Sequence, residues 1–246
     1  MASLFAVEDF SPSDLMKKDV VTGPTVRPQC LAEMDVNAAV LEELALKTLF
    51  VAGTLTVVDL SERLCLSYGA ANELFDRMRA EQVCQVTGMA GNVPQIAITA
   101  QGRTRAADLM AQNRYVGPAP VSFENYAEQV RKQSVRNARV HAADVERAFA
   151  ELVVDGALLR QLGTALNSGS SVFLYGPPGT GKTTFAEMLS RVLAQDAVWI
   201  PHAVEVDGQI ITVYDAAIHK SAGEGDPKHD PRWMLCQRPA VLVGGE

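Results

Sequence analysis

The sequence predicts an α/β domain, in which helices cover both faces of a parallel sheet, preceded by a small α+β module. Three observations lead to this prediction. Three helical patterns, a hairpin and a fourth helical pattern occupy residues 31–112, and a stretch with two prolines follows at 114–120. An apolar run then leads directly into a glycine-rich loop and a helix at 172–193. Strand–loop–helix units of this kind build parallel sheets, so the second part is expected to be an αβα sandwich.

The front module follows a polar lead-in, residues 1–29, that lacks periodicity and is expected to be flexible. From Asp35, apolar residues recur every three to four positions, which predicts a helix that ends at Gly53. Three more helices are predicted, each with a hydroxyl residue at its N-cap: Thr56, Ser67 and Thr99. Residues 83–99 indicate two strands around a Gly/Asn turn. This order is typical of a winged helix-turn-helix, so residues 30–113 are predicted to form a winged-helix-like module.

A boundary is predicted next, because RYVGPAP at 114–120 contains two prolines and a glycine. Residues 114–122 are therefore expected to be a linker, and residues 123–246 to be the second domain. Helical patterns within 144–154 and 157–166 precede the apolar run Val172–Tyr175. That run is expected to be a strand buried on both faces of the sheet.

The glycine-rich loop carries the strongest signal in the chain. Residues 176–183, GPPGTGKT, match G-x-x-x-x-G-K-[ST] at every position. Downstream apolar residues at helical spacing predict that a helix starts at Lys182. The strand, the loop and the helix together are the context that a phosphate-binding loop requires, whereas an ordinary turn would leave the lysine and threonine as coincidences.

The residue types explain how such a loop binds a nucleoside triphosphate with Mg²⁺. Glycines let backbone N–H groups point at phosphate oxygens, and the helix N-terminus adds its positive dipole end. Lys182 places a cation against the β- and γ-phosphates, and the Thr183 hydroxyl is a candidate Mg²⁺ ligand. The predicted nucleotide-binding residues are Gly176, Pro177, Pro178, Gly179, Thr180, Gly181, Lys182, Thr183 and Thr184.

The amino-acid sequence of the loop and its flanks resembles that of one family. GPPGTGKT preceded by FLY and followed by TFAEMLSRVL is similar to the AAA+ ATPases, over about residues 145–200. The resemblance implies an αβα nucleotide-binding domain that assembles into a homo-oligomeric ring and couples ATP hydrolysis to the remodelling of a macromolecule. Small-molecule kinases, which share the loop but usually not this spelling, are the alternative.

The resemblance also implies a strand that ends in Asp-Glu, and two stretches compete for it. IITVYD ends at Asp215, but Ala216 takes the glutamate position and the Asp207-Gly208 turn indicates a hairpin instead. AVLVGGE at 240–246 has glycines where the carboxylates belong.

No catalytic residue is therefore assigned. The expectation is a fragment of a longer ATPase, with an incomplete sheet, that binds ATP but turns it over poorly.

The hairpin predicted within 202–219 has two open interpretations, a substrate-contacting insertion or a structural cover for a sheet edge. His202, His219 and His229, with Asp226 and Asp230 nearby, match no metal-ligand spacing. No metal site is predicted from them.

Composition limits the remaining function classes. The 246-residue chain carries 22 basic and 29 acidic residues, a net charge of −7, so it is not a general polyanion binder. Its four cysteines form no CxxC pair, and no signal peptide or membrane span is evident, so a cytoplasmic protein without membrane contact is expected.

Charge also bears on the front module. Residues 31–112 contain six basic and ten acidic residues. We therefore expect the module to contact protein rather than DNA. An ATP-dependent transcriptional regulator that reads DNA through this module is the alternative function, and a nucleotide-dependent switch without substantial turnover is a third.

Overall fold

The computed structural model describes residues 23–24, 27–137, 139–194, 196–223 and 229–239 of the chain. The helices in this part are α1 Ala38–Ala52, α2 Val57–Arg63, α3 Tyr68–Ala80, α4 Ala100–Gln112, α5 Phe123–Lys132, α6 Ala142–Ala148, α7 Gly156–Asn167 and α8 Lys182–Ala194. The strands are β1 Thr54–Thr56, β2 Cys84–Ala90, β3 Val93–Ile98, β4 Val121–Ser122, β5 Ala197–Pro201, β6 Ala203–Val206, β7 Gln209–Thr212 and β8 Trp233–Gln237. Within these described ranges, no helix combines the length and apolar character needed to cross a membrane.

Helices α1 to α4 and an antiparallel sheet of order β1-β3-β2 surround the largest apolar core. The three predicted N-caps are confirmed, because the hydroxyls of Thr56, Ser67 and Thr99 each accept a backbone N–H three residues ahead. These bonds satisfy N–H groups that a helix cannot pair within itself. At Thr56 the Asp59 carboxylate also accepts the backbone N–H of the cap, and this capping box explains the lowered pKa of Asp59.

The proline-containing segment after α4 packs against that core. Ala119 is fully buried and donates its N–H to the Leu64 carbonyl at 2.8 Å. Strand β4 follows at once and pairs in parallel with β6, with Val121 opposite Val204. The Ser122 hydroxyl then caps α5 through the N–H of Asn125.

The hairpin predicted around Asp207-Gly208 is confirmed as β6 and β7. Both turn residues have positive φ, 49° and 78°, as a two-residue hairpin turn of the favoured twist requires. Near the hairpin tip, the Ile210 carbonyl accepts from the Asn113 side chain at 2.9 Å, and the Asn113 carbonyl accepts from the Lys47 ammonium at 3.1 Å. The hairpin thus contacts the front module directly.

Helices α6, α7 and α8 form a separate apolar core. Its buried members come only from residues 140–192, and the three other buried clusters contain none of them. Phe149 is buried in it and packs edge-to-face against Phe185, with the two ring centroids 5.3 Å apart. The Asn167 side chain closes the unit, because it accepts the Val140 N–H and donates to the Val140 carbonyl.

The predicted strand at Val172–Tyr175 is wrong for this structure. Residues 171–176 are irregular, and Phe173 and Tyr175 are 85% and 84% exposed. A strand needs neighbours for its N–H and C=O groups. No described strand pairs with this segment, and β5, the next strand along the chain, pairs antiparallel with β8.

The predicted parallel sheet is also not found among the described strands. Apart from the short β4–β6 pair, their pairings are antiparallel. The other candidate strand, 240–246, lies outside the described residues.

A buried arginine joins the parts around β8. Arg232 is 3% exposed, and its guanidinium donates to both carboxylate oxygens of Asp230, which is 2% exposed. It also donates to the Pro120 carbonyl at 3.1 Å and lies 4.0 Å from the Asp35 carboxylate. The backbone N–H of Asp230 in turn donates to the Pro24 carbonyl. Asp230 and Arg232 together therefore link Pro24 and Asp35 with the proline segment and the start of β8.

We predict that Asp230→Ala lowers the free energy of unfolding by about 3–5 kcal/mol, because it leaves the Arg232 charge buried without its carboxylate. Glu81→Ala is the matched control, since it removes a carboxylate from the exposed Arg105–Glu81 pair. Its effect should stay below about 1 kcal/mol. Urea denaturation followed by circular dichroism measures both, and equal effects would contradict the prediction.

Candidate functional site

The glycine-rich loop lies directly before α8. Gly179 and Gly181 have φ of 81° and 76°, a region that residues with a Cβ rarely adopt. A Cβ built on either glycine would meet no atom within 4 Å, so backbone conformation rather than crowding requires glycine here. The loop therefore presents its backbone to open space on the protein surface.

Helix α8 begins at Lys182, as the sequence predicts. The buried side chains of Met188, Leu189 and Val192 anchor it to α6 and α7. This one-sided packing leaves the first turn accessible, with Thr183 exposed and Thr184 half-buried. The positive end of the helix dipole thus faces the same space as the loop backbone.

Two side chains of the loop converge on one main-chain oxygen. The Pro177 carbonyl accepts a hydrogen bond from the Lys182 ammonium at 2.7 Å and from the Thr180 hydroxyl at 2.9 Å. The ammonium therefore lies over the loop rather than extending into solvent. It has three donors, so it can turn to another acceptor nearby.

The arrangement suits an anion with several oxygens. Backbone N–H groups at a helix N-terminus, flanking glycines and a mobile ammonium are the donors that bind phosphate groups. The residues thus fit a nucleoside triphosphate, and the exposed Thr183 hydroxyl fits a role as Mg²⁺ ligand. The residue pattern predicts these residues but not the role of the Pro177 carbonyl as a shared acceptor, since a main-chain oxygen leaves no signal in the pattern.

Asp215 does not join the loop residues. Its carboxylate accepts the Ala217 N–H at 2.9 Å, and its own N–H donates to the His219 ring at 2.9 Å. These bonds stabilise a turn after β7. The strand before Asp215 is β7, the second strand of the hairpin, as the hairpin interpretation predicts.

The histidines and aspartates near the end of the chain have other contacts. The His202 ring packs against Tyr214, and burial lowers the pKa of His202. The His229 ring packs against Trp199. Asp230 pairs with Arg232, as described above, and Asp226 lies outside the described residues. Over the described ranges, no group of three or more His, Cys, Asp or Glu side chains is placed to hold a metal ion.

The burial of Asp230 and Arg232 had no signal in the sequence. Two charged residues around a proline are as typical of an exposed turn as of a core.

Residues 172–223 match the family model of AAA, the ATPase family associated with various cellular activities. The match covers the phosphate loop, α8 and the hairpin. The predicted resemblance to AAA+ ATPases is thereby confirmed over this segment, for which the match implies an α/β fold of the P-loop type. No match to the chain was found among curated proteins or among solved structures.

We predict that Gly181→Ala lowers the free energy of unfolding by about 1–2 kcal/mol, the cost of a left-handed conformation for a residue with a Cβ. Gly156→Ala is the control, because Gly156 lies in the first turn of α7 with space around it. The control should be neutral or slightly stabilising. Urea unfolding distinguishes the two, and a neutral Gly181→Ala would contradict the described loop conformation.

Proposed function

We propose that the chain, with a AAA ATPase segment at residues 172–223, binds ATP and Mg²⁺ through Gly176–Thr184. The observation that carries this proposal is the loop itself, with two glycines at positive φ directly before a helix that starts at Lys182. In it, the loop backbone and the Lys182 ammonium bind the phosphates, and Thr183 contributes its hydroxyl to Mg²⁺. The bound ion would neutralise charge on the β- and γ-phosphates.

We further propose that nucleotide binding and hydrolysis drive the remodelling of a macromolecular partner by a homo-oligomeric ring. The AAA family match supports ATPase activity of this kind. The hydrolytic carboxylates are not assigned, and Asp215 is not proposed for that role because its carboxylate caps a turn. The role proposed for Gly176–Thr184 is the capture of the triphosphate.

The front module is proposed to be a winged-helix-like domain, residues 30–113, that docks to protein. Its helix and strand order supports the first part of this proposal. The second rests on charge, because two of its arginines pair with acids of the same module: Arg77 with Glu42, and Arg105 with Glu81. Arginines held in this way are less available to phosphates, and the module remains acidic overall.

Lys182→Ala tests the proposed nucleotide site. It should weaken the binding of Mg²⁺–ATP by about 10- to 100-fold, because it removes a charge-assisted hydrogen bond to the phosphates. Lys132→Ala is the control, since Lys132 lies on α5 in an exposed pair with Glu128. Isothermal titration calorimetry on the unsubstituted chain and both variants gives the affinities. Equal affinity for Lys182→Ala and the control would refute the proposed site.

A mobility-shift titration with duplex DNA at low and moderate salt tests the proposed role of the front module. We expect weak binding without a steep salt dependence, because the module is acidic overall and its Arg77 and Arg105 are paired with acids. Tight binding that falls steeply with salt would instead favour a transcriptional regulator. In that case Arg103→Ala, at an exposed position on α4, should reduce the slope.

A further inference from the structure

The shared acceptor in the phosphate loop has a consequence for how the loop works. A carbonyl oxygen has two lone pairs, and that of Pro177 uses both, one for Thr180 and one for Lys182. The two donors differ in reach. The lysine ammonium stands on a flexible four-carbon stem, whereas the threonine hydroxyl is on Cβ and has few rotamers.

The threonine also lies at the base of the loop. Its hydroxyl is 3.5 Å from the position that a Cβ on Gly176 would take, so it packs over the first glycine of the motif. Its bond to Pro177 spans three residues and closes the turn that leads to Gly181. The two neighbouring glycines have no side chains that restrain this turn, which leaves the hydroxyl bond as a restraint on its curvature.

We propose that Thr180 is a positioning residue of the phosphate loop, an inference that rests on the proposed nucleotide binding. Its hydroxyl keeps the Pro177 carbonyl in place when the Lys182 ammonium leaves that carbonyl for a phosphate oxygen. The loop thereby retains the curvature that directs its N–H groups at the ligand. Thr180 acts through the Pro177 carbonyl and the loop backbone, and no contact between its side chain and the nucleotide is part of the proposal.

Substitutions in the full chain test this inference, with the affinity for Mg²⁺–ATP measured by calorimetry. Thr180→Val keeps the shape and removes the hydroxyl, and should weaken binding by about three- to ten-fold, the effect of one lost hydrogen bond. Thr180→Ser keeps the hydroxyl and should bind within about two-fold of the unsubstituted chain. Thr164→Val is the matched control, because it removes a threonine hydroxyl that donates to the Arg160 carbonyl at 2.9 Å within α7. It should leave the affinity unchanged.

A double substitution separates positioning from a general loss of structure. In the Lys182→Ala chain the Thr180 hydroxyl is the remaining side-chain donor to the Pro177 carbonyl, so Thr180→Val should weaken binding there at least as much as in the unsubstituted chain. A Thr180→Val effect that disappears in the Lys182→Ala chain would overturn the inference. So would a Thr180→Val variant that binds like the unsubstituted chain, or a serine variant as weak as the valine variant. Circular dichroism verifies that each variant is folded, and Thr180→Ala serves in place of the valine variant if that one is not.

These outcomes are distinct from failure of the proposed function. If the unsubstituted chain took up no Mg²⁺–ATP, or Lys182→Ala bound as well as it does, the nucleotide site itself would be refuted and this inference with it. If Lys182→Ala weakens binding and Thr180→Val does not, only the role of Thr180 is wrong.

Discussion

A buried guanidinium needs a hydrogen-bond acceptor for nearly every N–H. In this structure, the acceptors of Arg232 hold separate segments of the chain together. Its acceptors come from separate parts of the chain, the Asp230 carboxylate and the Pro120 carbonyl, with Asp35 close by. The hydrogen bonds to these acceptors hold the proline segment against the start of β8 and near the start of the front module. The hairpin is then held from two sides, by β4 along β6 and by Asn113 near its tip. The front module, the proline segment and the hairpin are thus tied into one body.

The phosphate loop belongs to a different core. Helices α6, α7 and α8 bury their apolar side chains among themselves, and the loop directly precedes the N-terminus of α8. The geometry of the loop therefore depends on local features: the glycine conformations, the start of α8, and the two hydrogen bonds that the Pro177 carbonyl accepts.

The front module's surface is consistent with the proposal of a protein partner. Two of its arginines, Arg77 and Arg105, are paired with neighbouring acids, which reduces the local positive potential. Its remaining exposed apolar side chains include Tyr68 and Met89, on α3 and β2. Such a surface offers little electrostatic attraction to a polyanion, whereas its exposed apolar side chains can be buried against a protein partner.

The sequence by itself determined the features that depend on a few consecutive residues. The N-caps at Thr56, Ser67 and Thr99, the Asp207-Gly208 turn and the helix start at Lys182 all follow from conformational preferences and short-range hydrogen bonds. The phosphate-loop motif and its family resemblance belong to this class as well.

Only the tertiary structure decided what requires partners distant in the chain. Val172–Tyr175 has the composition of a buried strand, but strands form by pairing, and β5 pairs with β8 instead. Asp230 and Arg232 have the composition of an exposed turn, yet they are buried because Pro24, Pro120 and Asp35 supply the surrounding groups. In both cases the outcome depends on the free energy of long-range contacts, which no short stretch of sequence contains.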